Sequence, residues 1–266
     1  MSDLEALARL AVEVAEGAGE LLAGRLHDVR TTVEHKSSAT DMVTEVDRAV
    51  EAFVVDRLRS ARPDDGFLGE EGASEPGTSG VRWIIDPLDG TTNYLYAFPA
   101  FTVSIAAEVD GVLAVGAVRD PSHAETFHAW RGGGAWCNGV ALGDDSPPEL
   151  GAALVATGFS YTSERRAWQA AVVAELMADI RDVRRAGAAS LDLCWVAAGR
   201  VDVFFERGLA PWDYAAGSVI ASEAGAEVTD LDSGPPSTDI VVAARPPLAG
   251  SFRRRLAAAE AAVANR

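Results

Sequence analysis

The stretch from Trp83 to Tyr94 combines residue types that can hold a metal ion and a phosphate group. It contains two aspartates three residues apart, Asp86 and Asp89, followed at once by Gly90 and two threonines. Glycine lets the backbone approach a ligand closely, and the amide groups that follow it can face an anion. Carboxylates beside such a turn need a cation between them and the anion, and Mg²⁺ binds through carboxylates and substrate phosphate. The stretch therefore predicts a metal-dependent phosphate site, although an isolated D-x-x-D pair would only indicate a turn.

Six further motifs occur in order along most of the chain, two before this stretch and four after it. They are Lys36–Asp47, Gly69–Glu71, Gly187–Cys194, Gly199–Glu206, Trp212–Gly217 and Glu223–Ala226. Together they resemble the signatures of the inositol monophosphatase family of metal-dependent phosphatases. The resemblance implies an α/β (α+β) fold, a layered α-β-α-β-α sandwich with the active site between its halves, and a homodimer. It is specific for the family and much less specific for the substrate.

The resemblance also assigns metal ligands. Glu70 would bind a metal ion and face the attacking water, Asp86 would bridge two cations, and Asp89 would hold the second. The Leu88 carbonyl would complete the shell of the first cation, and Asp213 would be a further ligand beside the substrate. Without the resemblance, Glu70 reads as a solvated turn residue and Asp213 as a helix N-cap. The implied cofactor is Mg²⁺, with two or three ions per site, and two ions roughly 3.5–4 Å apart clamp the attacking and leaving oxygens.

A second group of residues would support the reaction. The Gly90–Thr91 turn would bind the phosphate. Asp47 would accept a hydrogen bond from Thr91, which would accept one from the nucleophilic water and draw its proton away. Lys36 would lie near the metal and phosphate. Taken alone, Asp47 would be an ordinary surface carboxylate of a helix.

The substrate pocket is the part of the site that the resemblance defines least. Glu206 would accept hydrogen bonds from sugar-alcohol hydroxyls, and Gly187, Ala188 and Ala189 would line the same pocket, with Asp213 beside them. Many relatives carry a hydroxyl residue where Ala188 stands, so a possible hydrogen bond to the substrate is missing. Inositol 1-phosphate is the first expected substrate. Histidinol phosphate, fructose 1,6-bisphosphate and a 3′-phosphonucleotide remain alternatives, as does a binding or regulatory role with an incidental phosphatase site.

The elements that must position these residues alternate between helix and strand patterns. Apolar residues at helical spacing predict helices from Leu4 to Leu26 and from Thr44 to Ser60. Val81 to Ile85 predicts a buried strand that Pro87 ends. Asp86 would then stand at the carboxyl edge of a sheet, where α/β proteins usually bind ligands.

The middle of the chain predicts a hairpin, a loop and a boundary. Asp110-Gly111 indicates a tight turn between strands 101–109 and 112–119. A strand at 125–130 would lead into a loop at 131–139. The run Asp144–Pro148 is the best boundary, giving an N-terminal α+β half, 1–146, with Glu70 and the metal turn. The C-terminal half, 147–266, would carry Asp213 and the pocket, and the two would form one catalytic unit.

Beyond the boundary the pattern continues to alternate. The expected strands are 152–157, 183–185, 201–206, 226–230 and 239–243, and the expected helices are 164–180, 189–198, 213–224 and one from about 247. This order of elements predicts layered sheets and helices.

Charge and cysteine content narrow the classes of partner. The 266-residue chain has a formal net charge of −17, which disfavours nucleic acid and an anionic membrane surface as partners. A phosphate ester remains a suitable substrate, because bound cations invert the local field. The two cysteines lie far apart in sequence, which indicates reduced thiols and a cytoplasmic setting. The first residues show no export signal, and no apolar run is long enough to span a membrane.

Overall fold

Two β-sheets and a set of helices build the part of the chain that the computed structural model describes, residues 3–33, 39–143 and 146–265. The helices are α1 (Asp3–Val33), α2 (Ala39–Ala61), α3 (Thr91–Leu95), α4 (Ser163–Leu176), α5 (Ala189–Ala197), α6 (Pro211–Glu223) and α7 (Leu248–Ala264). The strands are β1 (Gly66–Gly69), β2 (Ser74–Glu75), β3 (Val81–Asp89), β4 (Thr102–Val109), β5 (Val112–Asp120), β6 (Glu125–Trp130), β7 (Gly134–Cys137), β8 (Val140–Ala141), β9 (Leu154–Thr157), β10 (Asp182–Arg184), β11 (Val203–Arg207), β12 (Glu227–Thr229) and β13 (Ile240–Ala244).

The two sheets differ in strand direction. The first has eight strands in the order β2-β1-β3-β4-β5-β6-β7-β8, and only its β1–β3 pair is parallel. The second has five strands in the order β10-β9-β11-β13-β12, with β9, β10 and β11 parallel and β13 antiparallel to its neighbours. Because β1 and β3 are parallel, their carboxyl ends meet at one edge of the first sheet.

The elements stack in five layers. Helices α1 and α2 bury an apolar face against one side of the first sheet. Leu22 of α1, Val54 of α2 and Ile85 of β3 belong to the same buried cluster. Helices α5 and α6 lie between the two sheets. Helices α4 and α7 cover the far side of the second sheet, where Phe252 is fully buried. The predicted α-β-α-β-α sandwich is confirmed.

The structure corrects two predicted boundaries in the first sheet. Strand β3 does not end at Pro87 but continues to Asp89, with its register against β4 shifting between Asp86 and Asp89. Proline lacks a donor for the ladder and is tolerated at such irregularities. The predicted loop at 131–139 contains strand β7, because the chain turns back at Gly132–Gly134, where Glu223 of α6 accepts both glycine N–H groups at 3.0 Å.

The division into two halves remains a prediction. The strands of the first sheet lie between residues 66 and 141, and those of the second between 154 and 244. Asp144 and Asp145 of the predicted boundary lie outside the described residues, as does Lys36. Among the helices described, none combines the length and apolar character needed to cross a bilayer.

Candidate active site

Four acidic side chains from distant parts of the chain face one cleft of about 440 Å³. Asp86 and Asp89 lie at the carboxyl end of β3. Glu70 directly follows β1, and its N–H donates to the Ile85 carbonyl at 3.2 Å, which holds the two strand ends side by side. Asp213 comes from the third position of α6, a helix that packs against β3 and β4. The predicted ligands Glu70, Asp86, Asp89 and Asp213 are therefore brought together at the cleft.

Three of these carboxylates are fixed by hydrogen bonds to backbone groups. The Leu88 N–H donates to Asp86 Oδ1 at 3.0 Å. The backbone N–H and the hydroxyl of Ser190 donate to Asp89 Oδ2 at 2.8 Å and 2.6 Å. The Ala210 N–H donates to Asp213 Oδ2 at 2.6 Å, so Asp213 caps α6 from inside its first turn and does not stand at the N-cap position itself. Each bond occupies one carboxyl oxygen.

The four carboxylates concentrate negative charge in a poorly hydrated place. Burial, together with the charges of Asp89, Glu70 and Asp213, raises the pKa of Asp86 well above its usual value. Burial, together with Asp213, raises the pKa of Asp89 to about 7. Loss of hydration also raises the pKa of Glu70, the most exposed of the four, and that of Asp213. A hard divalent cation would neutralise this charge, and the all-oxygen donor set fits Mg²⁺.

The carboxylates surround the cleft without forming a complete coordination shell. Within the described residues, no three acidic, histidine or cysteine side chains are grouped closely enough around one point to hold a metal ion. The main-chain oxygen of Leu88 accepts the Thr91 hydroxyl at 3.1 Å, and it has a second lone pair for a cation. The donor set fits Mg²⁺ by its chemistry, and the number of ions stays a prediction.

The predicted contact between Asp47 and Thr91 is not formed. The Thr91 hydroxyl donates to the Leu88 carbonyl oxygen, its near neighbour in the turn. Asp47 is buried, and its Oδ1 has no hydrogen-bond partner within the part of the chain that the structure describes. Burial, with the charges of Glu70, Glu71 and Glu51, raises the pKa of Asp47 to about 8. Asp47 is therefore part of the acidic cluster and not the acceptor of the Thr91 proton in this structure.

Two residues that the sequence reading passed over hold the predicted ligands in place. Glu51 accepts the N–H groups of Glu71 and Ala73, each at 3.0 Å, and so fixes the turn that carries Glu70. Ser190 binds Asp89, and its hydroxyl also contacts that of Thr102 at 2.7 Å. A signal for Glu51 existed, because it lies one helical turn after Asp47 on the inward stripe of α2.

The opposite wall of the cleft carries the predicted pocket residues, with one exception. Gly187, Ala189 and Glu206 line it, and burial raises the pKa of the half-buried Glu206 carboxyl to about 8. Ala188 is not among the lining residues: it is 1% exposed and packs into the core between the first sheet and α5, so its role in the pocket stays a prediction.

Several further cleft residues were not expected from the sequence. The segment 158–162 after β9 lines the cleft, and so does Arg185, which precedes α5. Asn93 links the chain before β4 to the segment before α5. Its side-chain amide donates to the carbonyl oxygens of Ala100 at 2.6 Å and Ala186 at 2.9 Å. Local sequence gave no signal for the segment 158–162 or for Arg185, because only the tertiary fold brings them to the cleft.

Comparison with known proteins agrees with this geometry. A profile of the inositol monophosphatase family matches residues 3–264. The chain belongs to the inositol monophosphatase family. Membership implies a phosphatase, and the family is generally metal-dependent.

Named relatives within the family fall into two groups. The chain is 41% identical over 227 residues to the Nus factor SuhB of Escherichia coli K12, covering 85% of both chains. It is 44% identical over 231 residues to the inositol-1-monophosphatase of Mycobacterium leprae, covering 83% of this chain and 79% of that one. Among solved structures, Mycobacterium tuberculosis SuhB superposes with a TM-score of 0.85 at 38% identity, covering 97% of this chain and 98% of that chain. The inositol monophosphatase of Anabaena gives a TM-score of 0.85 at 36% identity, covering 97% of both chains.

Proposed function

We propose that this protein is a Mg²⁺-dependent phosphomonoesterase that hydrolyses a small polyol phosphate, inositol 1-phosphate first among them. The observation that carries the proposal is the cleft itself. One side presents four carboxylates and the Gly90–Thr91 turn, and the other presents Glu206 and the glycines beside it. A metal-bound phosphate and a hydroxyl-rich alcohol would fit these two sides respectively.

The roles we propose for the metal side follow from the contacts of each residue. Glu70, Asp86, Asp89, Asp213 and the Leu88 carbonyl would hold the cations, which when bound lower the pKa of a water molecule and neutralise phosphate charge. The first-turn amides of α3, after Gly90, have no intrahelical acceptor and can donate to phosphate oxygens. The Thr91 hydroxyl already donates to the Leu88 carbonyl, so its oxygen can accept from the attacking water and orient it. Glu70, the most exposed carboxylate, would take the water's proton.

On the substrate side, Glu206 would accept hydrogen bonds from the alcohol hydroxyls. The Glu206 carboxyl lies against Gly158, where a Cβ would collide with it. Gly187 has no side chain and Ala189 only a methyl group, so both leave room beside that wall for a ring to enter. The 440 Å³ cleft falls within the range of roughly 300–1,000 Å³ typical of small-molecule sites.

The experiment is phosphate release from a panel of esters with Mg²⁺ and with chelator. The panel is inositol 1-phosphate, histidinol phosphate, fructose 1,6-bisphosphate, a 3′-phosphonucleotide and an aryl phosphate. We expect Mg²⁺-dependent release with the highest kcat/KM for inositol 1-phosphate. Activity that persists in chelator, or that is confined to another ester, would contradict the proposal. Selective inhibition by Li⁺ over Na⁺ and K⁺ is a further expectation, and equal inhibition by the three ions would count against it.

A second role as a binding protein is proposed because close relatives carry the name Nus factor SuhB. Such a role would not need the carboxylates to work in catalysis. An Asp86→Asn variant would separate the two roles: it should lose phosphatase activity and keep any binding function. We also propose that the protein forms a homodimer, as the family resemblance implies. We propose that it acts in the cytoplasm, where free thiols such as Cys137 and Cys194 stay reduced.

A further inference from the structure

A groove separate from the cleft lies on the side of the first sheet that α1 covers. Its volume is about 400 Å³, and none of the described residues that line it lines the cleft. Helix α1 packs across β4, β5 and β6, and Ala8 and Val12 form part of the helix side of the groove. Because these side chains are short, space remains between the helix and His128 and Trp130 of β6.

Stacked aromatic rings form the strand side of the groove. Trp130 stacks on Trp136 of β7, with ring centroids 4.8 Å apart and ring planes 22° apart. His128 stacks on the same Trp136 ring at 5.5 Å and 21°. The three rings therefore hold one another nearly parallel, and a ring that is already ordered loses little entropy when a ligand binds to it.

The carboxylates on the helix side differ in their partners. Glu5 and Glu13 are ion-paired with arginines of α1 and α2, at 2.9 Å and 2.6 Å. Glu16 accepts the Thr126 hydroxyl at 3.0 Å, and within the part of the chain that the structure describes it forms no ion pair. Burial lowers the pKa of His128, against the opposite effect of Glu16, so the imidazole is neutral at neutral pH and does not compensate the Glu16 charge.

An aromatic wall beside one uncompensated carboxylate favours a cation. The face of a tryptophan ring attracts positive charge through its quadrupole, and a carboxylate adds a counter-charge. A primary ammonium ion has three N–H donors and would lack acceptors here, because two of the three carboxylates in the described wall are already ion-paired. A quaternary ammonium ion has no N–H donor, so ring faces and one carboxylate are sufficient for it.

We propose that the groove between α1 and β6 binds a small quaternary ammonium ion, with Trp130 as its aromatic contact and Glu16 as its counter-charge. The volume of about 400 Å³ leaves room for a chain attached to the ammonium head. This inference does not depend on the phosphatase proposal, because the groove shares none of its described residues with the cleft.

Choline and 3,3-dimethyl-1-butanol test the charge requirement. The alcohol has carbon in place of the quaternary nitrogen of choline and keeps its shape. Titrations followed by the NMR shifts of the tryptophan indole N–H groups measure binding of both, with the signals of Trp130 and Trp136 assigned by substitution. We expect saturable binding of choline at these two signals and about tenfold weaker binding of the alcohol. Equal affinities, or no saturable shift with choline, would overturn the inference.

Variants assign the binding to the ring and the carboxylate. Followed by the Trp136 signal, Trp130→Phe should weaken choline binding about threefold and Trp130→Leu about tenfold, because the attraction falls with the ring quadrupole. Glu16→Gln should weaken it about fivefold. Glu20→Gln, which removes an equal charge from an exposed position one turn further along α1, should bind choline like the unmodified protein.

Two results with these variants would contradict the assignment. Equal weakening by Glu16→Gln and Glu20→Gln would show that only the overall negative charge attracts choline. Unchanged binding in both Trp130 variants would show that the ring takes no part. If circular dichroism showed that Trp130→Leu does not fold, the comparison of Glu16→Gln with Glu20→Gln would still decide the inference.

A second copy of the chain is the alternative occupant of the groove. Light scattering on the unmodified protein and on Trp130→Leu measures the mass of each assembly. We expect the same mass for both, because the groove is proposed to be open to a small molecule. A lower mass for Trp130→Leu would show that the groove is a contact between copies and would overturn the inference.

Discussion

The metal side and the substrate side of the cleft are built in different ways. The metal side is centred on consecutive residues of one strand and turn, Asp86 to Thr91, with hydrogen bonds to backbone groups inside the turn, and only Glu70 and Asp213 join it from other segments. The substrate side assembles Gly158, Gly187 and Glu206 from three separate segments, and the contacts there are between side chains and glycines. The proposed metal side thus has a local motif at its centre, whereas the proposed substrate wall depends on segments that meet only in the folded chain.

The largest expected effect is on the metal side. Asp86→Asn and Asp213→Asn should each lower kcat/KM by about 100-fold or more, because an amide replaces a charged oxygen ligand poorly. The fold should remain, as judged by circular dichroism and thermal unfolding. Asp56→Asn, which changes an exposed carboxylate of α2, is the matched control and should be near normal. Near-normal turnover of Asp86→Asn at saturating Mg²⁺ would remove the basis of the proposed mechanism.

A pair of glycine substitutions tests whether the metal turn is more rigid than the substrate wall. In Gly90→Ala the residue must keep a φ of 87°, and its Cβ would lie 2.7 Å from the Ala100 carbonyl oxygen. Because the backbone carbonyl of Ala100 can move aside only at a cost in free energy, we expect a loss of about 1–3 kcal/mol in the free energy of unfolding. In Gly158→Ala the new Cβ meets the flexible end of Glu206. Stability should change little, while KM for inositol 1-phosphate rises.

Urea unfolding and initial-rate kinetics on both variants measure this contrast. Equal destabilisation by the two substitutions would show that the substrate wall is as rigid as the metal turn. An unchanged KM in Gly158→Ala would show that the position of Glu206 does not matter for this substrate.

A smaller effect should separate binding from chemistry. Glu206→Gln should lower kcat/KM for inositol 1-phosphate by about tenfold, because a hydrogen bond to the substrate is weakened. Hydrolysis of an aryl phosphate, which has no such hydroxyls, should be nearly unchanged. Thr91→Ala should depress both substrates alike, since it damages the positioning of the water. A uniform loss for Glu206→Gln would place Glu206 with the catalytic or structural residues.

The smallest effect concerns the stability of the metal-free protein. The pKa of Asp47 is raised from 3.8 to about 8, so the folded protein retains a proton that the unfolded chain has lost. Its contribution to stability is full below pH 4 or so and is lost as pH rises through about 8. Asp47→Asn should therefore flatten the decline of unfolding free energy between about pH 4 and 8, measured with urea in the presence of a chelator. Parallel curves for the two proteins would contradict the assignment.

Much of the fold follows from patterns between near neighbours in the chain. The Asp110-Gly111 hairpin forms as predicted, with φ of 50° and 79° at its two turn residues. Helix α5 lies within one residue of its predicted bounds, and α2 ends one residue after Ser60 although it begins five residues before Thr44. The D-x-x-D-G-T-T run placed Asp86, Asp89 and Gly90 at the cleft, because a strand end and a glycine turn depend mostly on the residues within them.

Other features depend on residues that meet only in the folded chain. Strand β3 extends past Pro87 because β4 pairs with Asp89 beyond the register shift. Asp89 is fixed by Ser190, about a hundred residues later, and Glu70 by a turn that Glu51 holds from α2. The segment around Ala188 packs inward because α5 is buried between two sheets, which its own sequence cannot specify.

The sequence by itself determined the family and the layered architecture of this protein, and it named the acidic residues that meet at the cleft. The tertiary structure decided which groups hold those acidic residues in place and which segments form the opposite wall of the cleft. The physical reason is the range of the interactions. Turns, helices and strand ends are set by neighbours within a few residues, whereas hydrogen bonds and packing across the cleft join segments whose distance along the chain carries no local signal.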